Sequence, residues 1–244
     1  MERQSNIFVF ETAEQLALAA AERFVEYSNE PQDMTERFSV ALAGGNTPRR
    51  VYELLATEPF KNRVKWSQVH LFFGDERCVP PEHPDSNYAM AYEALISRVP
   101  IPAKNVHRVS GESNPNEGAL EYENELRAFF AGLDWPRFDL VLLGMGEDGH
   151  TASLFPDSAA MKERSRWVVT TRNEQSAHDR VTLTVPVFNH AGRIMFLVTG
   201  KKKAQRLKEA LRPQPGSEQL PVQAITPIKG MLEWLVDAEA ASLL

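Results

Sequence analysis

Short runs that are apolar almost throughout, separated by longer amphipathic segments, restrict this chain's fold more than any other feature. The runs Ile7–Phe10, Phe38–Ala43, Val69–Phe73, Val106–Val109, Phe138–Leu143, Trp167–Thr170, Val181–Val185 and Ile194–Val198 are bounded by Gly, Pro, Asn and Asp. A strand exposed on one face alternates in polarity, whereas a strand covered on both faces is apolar along its length. The runs therefore predict an α/β chain with a mainly parallel sheet and helices on both faces. Amphipathic segments at Ala13–Tyr27, Pro48–Ala56, Asn87–Val99, Glu117–Phe130 and Lys202–Leu211 supply the helices. Thr12 with Gln15 forms a capping-box pattern, and Thr47 offers a hydroxyl cap ahead of Pro48.

No internal repeat divides the 244 residues, and the Pro/Gly/Ser-rich stretch Arg212–Pro221 reads as a loop, so one domain over 1–244 is expected. Acids outnumber bases 33 to 27, for a net charge of -6. That balance disfavours broad contact with nucleic acid or an anionic membrane, so an anionic ligand must be held by a local site. A lone cysteine, Cys78, excludes an internal disulfide and points to a reducing compartment. Met1–Phe10 lacks a hydrophobic stretch of signal-peptide length, and no run approaches the ~20 apolar residues of a membrane span. A cytoplasmic protein is expected.

Three loops at predicted strand ends could carry chemistry. Gly44, Gly45, Asn46 and Thr47 precede a helix, where close backbone approach and free N–H groups suit a phosphate. A plain strand-to-helix turn would use the same residues, and no Gly-Lys-Ser/Thr follows to make a nucleotide loop. In Gly74-Asp75-Glu76-Arg77, Arg77 could grip a phosphate bidentately while Asp75 or Glu76 orients it or handles a hydroxyl; the alternative is a solvated charge cluster. Cys78 has no evident activating partner, so an inert thiol is expected.

The third loop runs from Leu143 to Pro156. Gly144, Gly146 and Gly149 match the dinucleotide spacing G-x-G-x-x-G, but they lie mid-chain and Pro156 leaves little room for the required helix. The glycines are better suited to presenting Asp148 and His150. Histidine moves protons near neutrality, which makes His150 a candidate general base, with a structural role as the alternative. No G-x-S-x-G elbow supports a serine hydrolase. His70, His83, His107, His178 and His190 are scattered without zinc-ligand spacing, so no metal site is expected.

Taken together, Gly44–Pro48, Gly74–Arg77 with Val79-Pro80 and Asp85–Tyr88, and Asp148–Pro156 resemble the 6-phosphogluconolactonase family. The likeness continues through Arg180–Thr184, Gly200–Ala204 and the terminal tryptophan strand at Trp234–Asp237, nearly the whole chain. It implies a Rossmann-like sheet shared with glucosamine-6-phosphate deaminases and ribose-5-phosphate isomerases. It also implies hydrolysis of 6-phospho-D-glucono-1,5-lactone to 6-phospho-D-gluconate in the oxidative pentose phosphate pathway, with no metal or organic cofactor. On this resemblance His150 is the base, Arg77 and Lys203 hold the phosphate, and the Gly44–Thr47 loop supplies amides. Asn46 departs from the family's glycine loop at a variable position, and Ile225–Gly230 departs more from the expected pattern.

A δ-lactone is an activated ester, so one base for water, donors for the oxyanion and an acid for the departing ring oxygen suffice. One histidine can perform both proton transfers, with Asp148 orienting it or merely capping the loop, and with Asp75 a further catalytic candidate. Two rivals remain. An isomerase or deaminase of the same fold would place an acid soon after the histidine, where Thr151–Pro156 has none. A non-catalytic sugar-phosphate sensor would keep Gly44 and Arg77 without the base. The expected partner is the phosphorylated lactone, and the expected state a monomer or weak homodimer.

Overall fold

The computed structural model describes residues 6–30, 37–173, 176–214 and 216–244. Residues 1–5 of the N-terminal stretch and residue 215 of the Arg212–Pro221 loop lie outside the described residues. The strands are β1 (Asn6–Phe10), β2 (Phe38–Leu42), β3 (Val69–Phe73), β4 (Asp75–Arg77), β5 (Leu140–Leu143), β6 (Val168–Thr171), β7 (Arg180–Leu183), β8 (Arg193–Val198) and β9 (Met231–Asp237). The helices are α1 (Ala13–Asn29), α2 (Asn46–Leu55), α3 (Asn87–Ala94), α4 (Pro115–Phe129), α5 (Ala159–Lys162), α6 (Val185–Asn189) and α7 (Ala204–Leu211).

Six strands form a sheet in the order β1-β9-β8-β5-β2-β3, and each neighbouring pair in it is parallel. Every residue of β2 and β5 is buried, as their unbroken apolar sequences require of strands covered on both faces. Across β8 and β9, Phe196 and Trp234 stack with centroids 4.0 Å apart, and Phe72 packs in an aromatic cluster with His107, Phe129, Phe130 and Phe138. Because the strands run the same way, the loops leaving β2, β3, β5 and β8 open at one edge of the sheet.

Several expectations are corrected. Trp167–Thr170 and Val181–Val185 do not join the parallel sheet; as β6 and β7 they pair antiparallel with each other, and β7 pairs antiparallel with β4, in a separate three-stranded sheet. Gly74 is the junction: its N–H donates to Leu42 in the large sheet, and its carbonyl accepts from Leu183 in the small one. Val106–Val109 is no strand, making a single parallel bridge to Leu71 before the chain turns away. Strand β9 begins at Met231, and periodicity misses it because Glu233 interrupts the apolar run. That carboxylate is buried and accepts a hydrogen bond from Tyr27 Oη at 2.7 Å. At α1, Thr12 Oγ1 caps the Gln15 amide as expected, but Gln15 reaches back to the Glu11 N–H instead of that of Thr12. Thr47 caps nothing: Gly45 is the cap of α2, and the Thr47 hydroxyl bonds that of Thr199 at 2.8 Å.

Candidate active site

The strand-end loops enclose a cleft of about 210 Å³ lined by Gly44, Gly45, Asn46, Thr47, Asp75, Arg77, His150 and Lys203, together with Asn87 and Arg180. The sequence candidates thus converge, with Asp148 just behind His150. At the first loop, Gly45 has φ of 100°, a conformation that favours glycine, and it turns the chain so that the first amides of α2 open into the cleft. Gly44 needs its missing side chain for a second reason, since a Cβ there would lie 2.0 Å from Asn87 Oδ1.

Asp75 and Glu76 are not solvated, being 5% and 2% exposed. The Glu76 carboxylate faces the start of α3, accepting from the amides of Arg77, Asn87 and Tyr88 and from Ser86 Oγ. Burial raises its pKa against those bonds, and it is consumed as a helix anchor. Asp75 accepts from Ser153 Oγ at 2.5 Å and from Asn87 Nδ2 at 3.2 Å, and it lies 3.9 Å from an Arg180 Nη atom. Burial pushes the Cys78 thiol up to about 11, in keeping with an inert residue.

The loop after β5 is folded around His150. Its glycines close a turn, with Gly146 N–H donating to the His150 carbonyl and Gly149 N–H to that of Gly146, and no helix starts directly after them. A Cβ on Gly146 would fall 2.2 Å from the imidazole. Asp148 Oδ1 accepts from the His150 amide at 3.1 Å and meets His150 Nδ1 at 2.5 Å. The hydrogen bond from His150 holds the Asp148 carboxyl down to about 2, so it is ionised near neutrality. An ionised carboxylate only accepts, which places the ring proton on Nδ1 and the lone pair on Nε2. Ala152, also lining the cleft, adopts φ of 47°, a strained conformation held by its neighbours: Thr151 Oγ1 bonds the Gly144 carbonyl, and Ser153 is fully buried against Asp75.

Three cations, Arg77, Arg180 and Lys203, line the same cleft as the histidine. Arg77 and Arg180 are register partners across β4 and β7, and each has a buried Nε with no hydrogen-bond partner. Burial lowers the pKa of Arg180, and the charge of Arg77 lowers it further; burial likewise lowers that of Lys203. Such crowding of half-desolvated positive charge is relieved by an anion. Arg180 and Asn87 carried no assigned role in the sequence reading. Their signal is long-range pairing, which spacing along the chain does not reveal.

A parallel sheet with glycine loops, clustered cations and a carboxylate-bound histidine at its strand ends defines an α/β protein built to take an anionic small molecule. The family model for glucosamine-6-phosphate isomerases/6-phosphogluconolactonase matches residues 11–234, and the chain belongs to that family. It is 42% identical over 209 residues to the 6-phosphogluconolactonase of Nostoc sp. (strain PCC 7120), covering 84% of each chain. It is 35% identical over 239 residues to that of Haemophilus influenzae, covering 98% of this chain and 100% of the other. The solved 6-phosphogluconolactonase from Trypanosoma cruzi superposes with a TM-score of 0.89 at 31% identity, covering 100% of this chain and 98% of that one.

Proposed function

We propose that this chain is a 6-phosphogluconolactonase, hydrolysing 6-phospho-D-glucono-1,5-lactone to 6-phospho-D-gluconate in the oxidative pentose phosphate pathway. One domain over 1–244 carries the reaction in the cytoplasm, as a monomer or weak homodimer, with the sugar-phosphate lactone as its partner and no cofactor in the chemistry. The observation that carries this reading is that one cleft is lined both by His150, with its Nε2 lone pair available, and by three partly desolvated cations.

In this mechanism Arg77, Arg180 and Lys203 hold the phosphate, and the amides of Gly44, Gly45, Asn46 and Thr47 assist. Binding energy from that remote group places lactone C1 beside His150. His150 Nε2 takes a proton from water as its oxygen bonds to C1, and loop N–H groups stabilise the oxyanion. The imidazolium, steadied by Asp148, returns the proton to the ring oxygen as its bond to C1 breaks. The acid product then ionises. Asp75 acts as a positioning residue: it holds Arg180 and Asn87 without facing the reacting carbon. An isomerase or deaminase reading lacks a carboxylate between Thr151 and Pro156, where the Thr151 and Ser153 hydroxyls are already engaged.

The test is lactone consumption measured with freshly prepared substrate against an enzyme-free blank, together with proton release, ammonia and ketose formation. Net turnover should release a single proton and yield neither ammonia nor ketose. His150→Asn should melt like the parent and lose ~100- to 10,000-fold in turnover. A rate equal to the blank would leave the sensor reading, and an isomerised product would replace hydrolysis altogether.

A further inference from the structure

His83, Asp85 and His178 lie outside the cleft, and the proposed reaction uses none of them. The fold nevertheless brings their ligand atoms within 4.8 Å of one another, although the two histidines lie far apart along the sequence. His178 Nε2 is 3.2 Å from Asp85 Oδ2, and His83 Nδ1 is 4.0 Å from the same oxygen. Zinc bonds of ~2.0 to 2.2 Å set neighbouring ligands of a tetrahedron roughly 3.3 Å apart, so of the three edges one is already formed, the His83–Asp85 edge needs a closure of less than about 1 Å, and the His83–His178 edge one of at most about 1.5 Å.

The local chemistry is prepared for a cation. The Asp85 amide donates to His83 Nδ1 at 3.1 Å, and since a backbone N–H can only donate, that nitrogen carries the lone pair a metal requires. The turn presenting it is closed by His83 N–H to the Pro80 carbonyl and Ser86 N–H to the His83 carbonyl. The side chains of His83, Asp85 and His178 are 35%, 57% and 28% exposed, so water can complete the coordination and the ion has a path in. We propose that His83, Asp85 and His178 form a binding site for a zinc-class divalent ion, bridging the loop after β4 to the loop before β7. Two imidazoles and one carboxylate suit zinc, not magnesium, which prefers oxygen ligands. The ion takes over the His83 lone pair from the Asp85 amide.

The experiment is calorimetric titration of chelator-treated full-length protein with zinc chloride, and separately with magnesium chloride. The variants are His178→Gln, the double variant His83→Gln/His178→Gln, and His150→Gln to exclude the cleft. Thermal melting without metal confirms that each is folded. Zinc should give a saturable single-site isotherm, and magnesium none. His178→Gln should weaken it by at least the ~10- to 100-fold that loss of a mere supporting partner causes, and the double variant should abolish it. His150→Gln should bind as the parent does. Absence of saturable zinc binding, binding unchanged in the double variant, or binding lost in His150→Gln would each overturn the site.

Discussion

Replacing Asp148 by asparagine separates a carboxylate that assists His150 from one that only closes a loop. The hydrogen bond from His150 holds the Asp148 carboxyl down to about 2 from 3.8. At ~1.36 kcal/mol per pH unit that shift amounts to roughly 2.4 kcal/mol for a dry pair. The Asp148 side chain is 46% exposed, so solvent screening reduces the interaction to about 1 kcal/mol. Asparagine keeps the shape and an acceptor oxygen for the His150 amide, but it removes the charge that steadies the imidazolium. Turnover of 6-phosphogluconolactone should fall ~5- to 10-fold, the equivalent of that free energy, with KM within about twofold.

A carboxyl held below its ordinary value contributes stability above about pH 4 and loses it as pH falls through about 2, so any melting deficit of the variant should vanish in acid. The assay is steady-state turnover from pH 5.5 to 8 with the enzyme-free rate subtracted. Turnover within twofold of the parent would make Asp148 a loop cap. A loss beyond ~1,000-fold in a folded variant would refute the 1 kcal/mol reckoning in favour of strict tautomer control, the larger effect known from buried carboxylate and histidine pairs.

Arg77→Ala, Arg180→Ala and Lys203→Ala should each cost ~1.5 to 3 kcal/mol in kcat/KM, chiefly through KM; parental kinetics in all three would move the phosphate elsewhere. Gly146→Ala should lower turnover ~100-fold, because its Cβ would lie 2.2 Å from the His150 ring and force it aside; near-parental activity would contradict that geometry. Dialysis against a chelator should leave turnover intact, and a loss restored by zinc would bring a metal into the chemistry. Burial, reinforced by His107, holds His70 down to about 4. Folding stability should therefore be full above about pH 6.5 and decline toward pH 4, by about 1 to 2 kcal/mol after allowance for its partial exposure, and His70→Gln should flatten that part of the melting profile.

The parallel sheet was legible because its signal is local: a strand covered on both faces must be apolar along its own length, as Phe38–Leu42 and Leu140–Leu143 are. The loops that build the cleft were legible too, since glycine and histidine types at strand ends carry chemistry on their own account. The small antiparallel sheet was not. Its strand β4 reads Asp-Glu-Arg, and nothing in those residues says that the start of α3 will neutralise Glu76, or that Ser153 and Asn87 will bond Asp75. Arg180 was equally hidden, because an arginine beside a strand is ordinary until its partner is known. What makes it a site residue is the pairing of Arg77 with Arg180 across β4 and β7. A slip of that register by one residue would turn one guanidinium to the opposite face and dissolve the anion site. The register is held by Gly74, whose carbonyl accepts the Leu183 amide at 2.9 Å while its own N–H is fixed to Leu42 in the parallel sheet. The large sheet thus sets where the two arginines meet, which couples the core that sequence reveals to the charge pairing that it conceals.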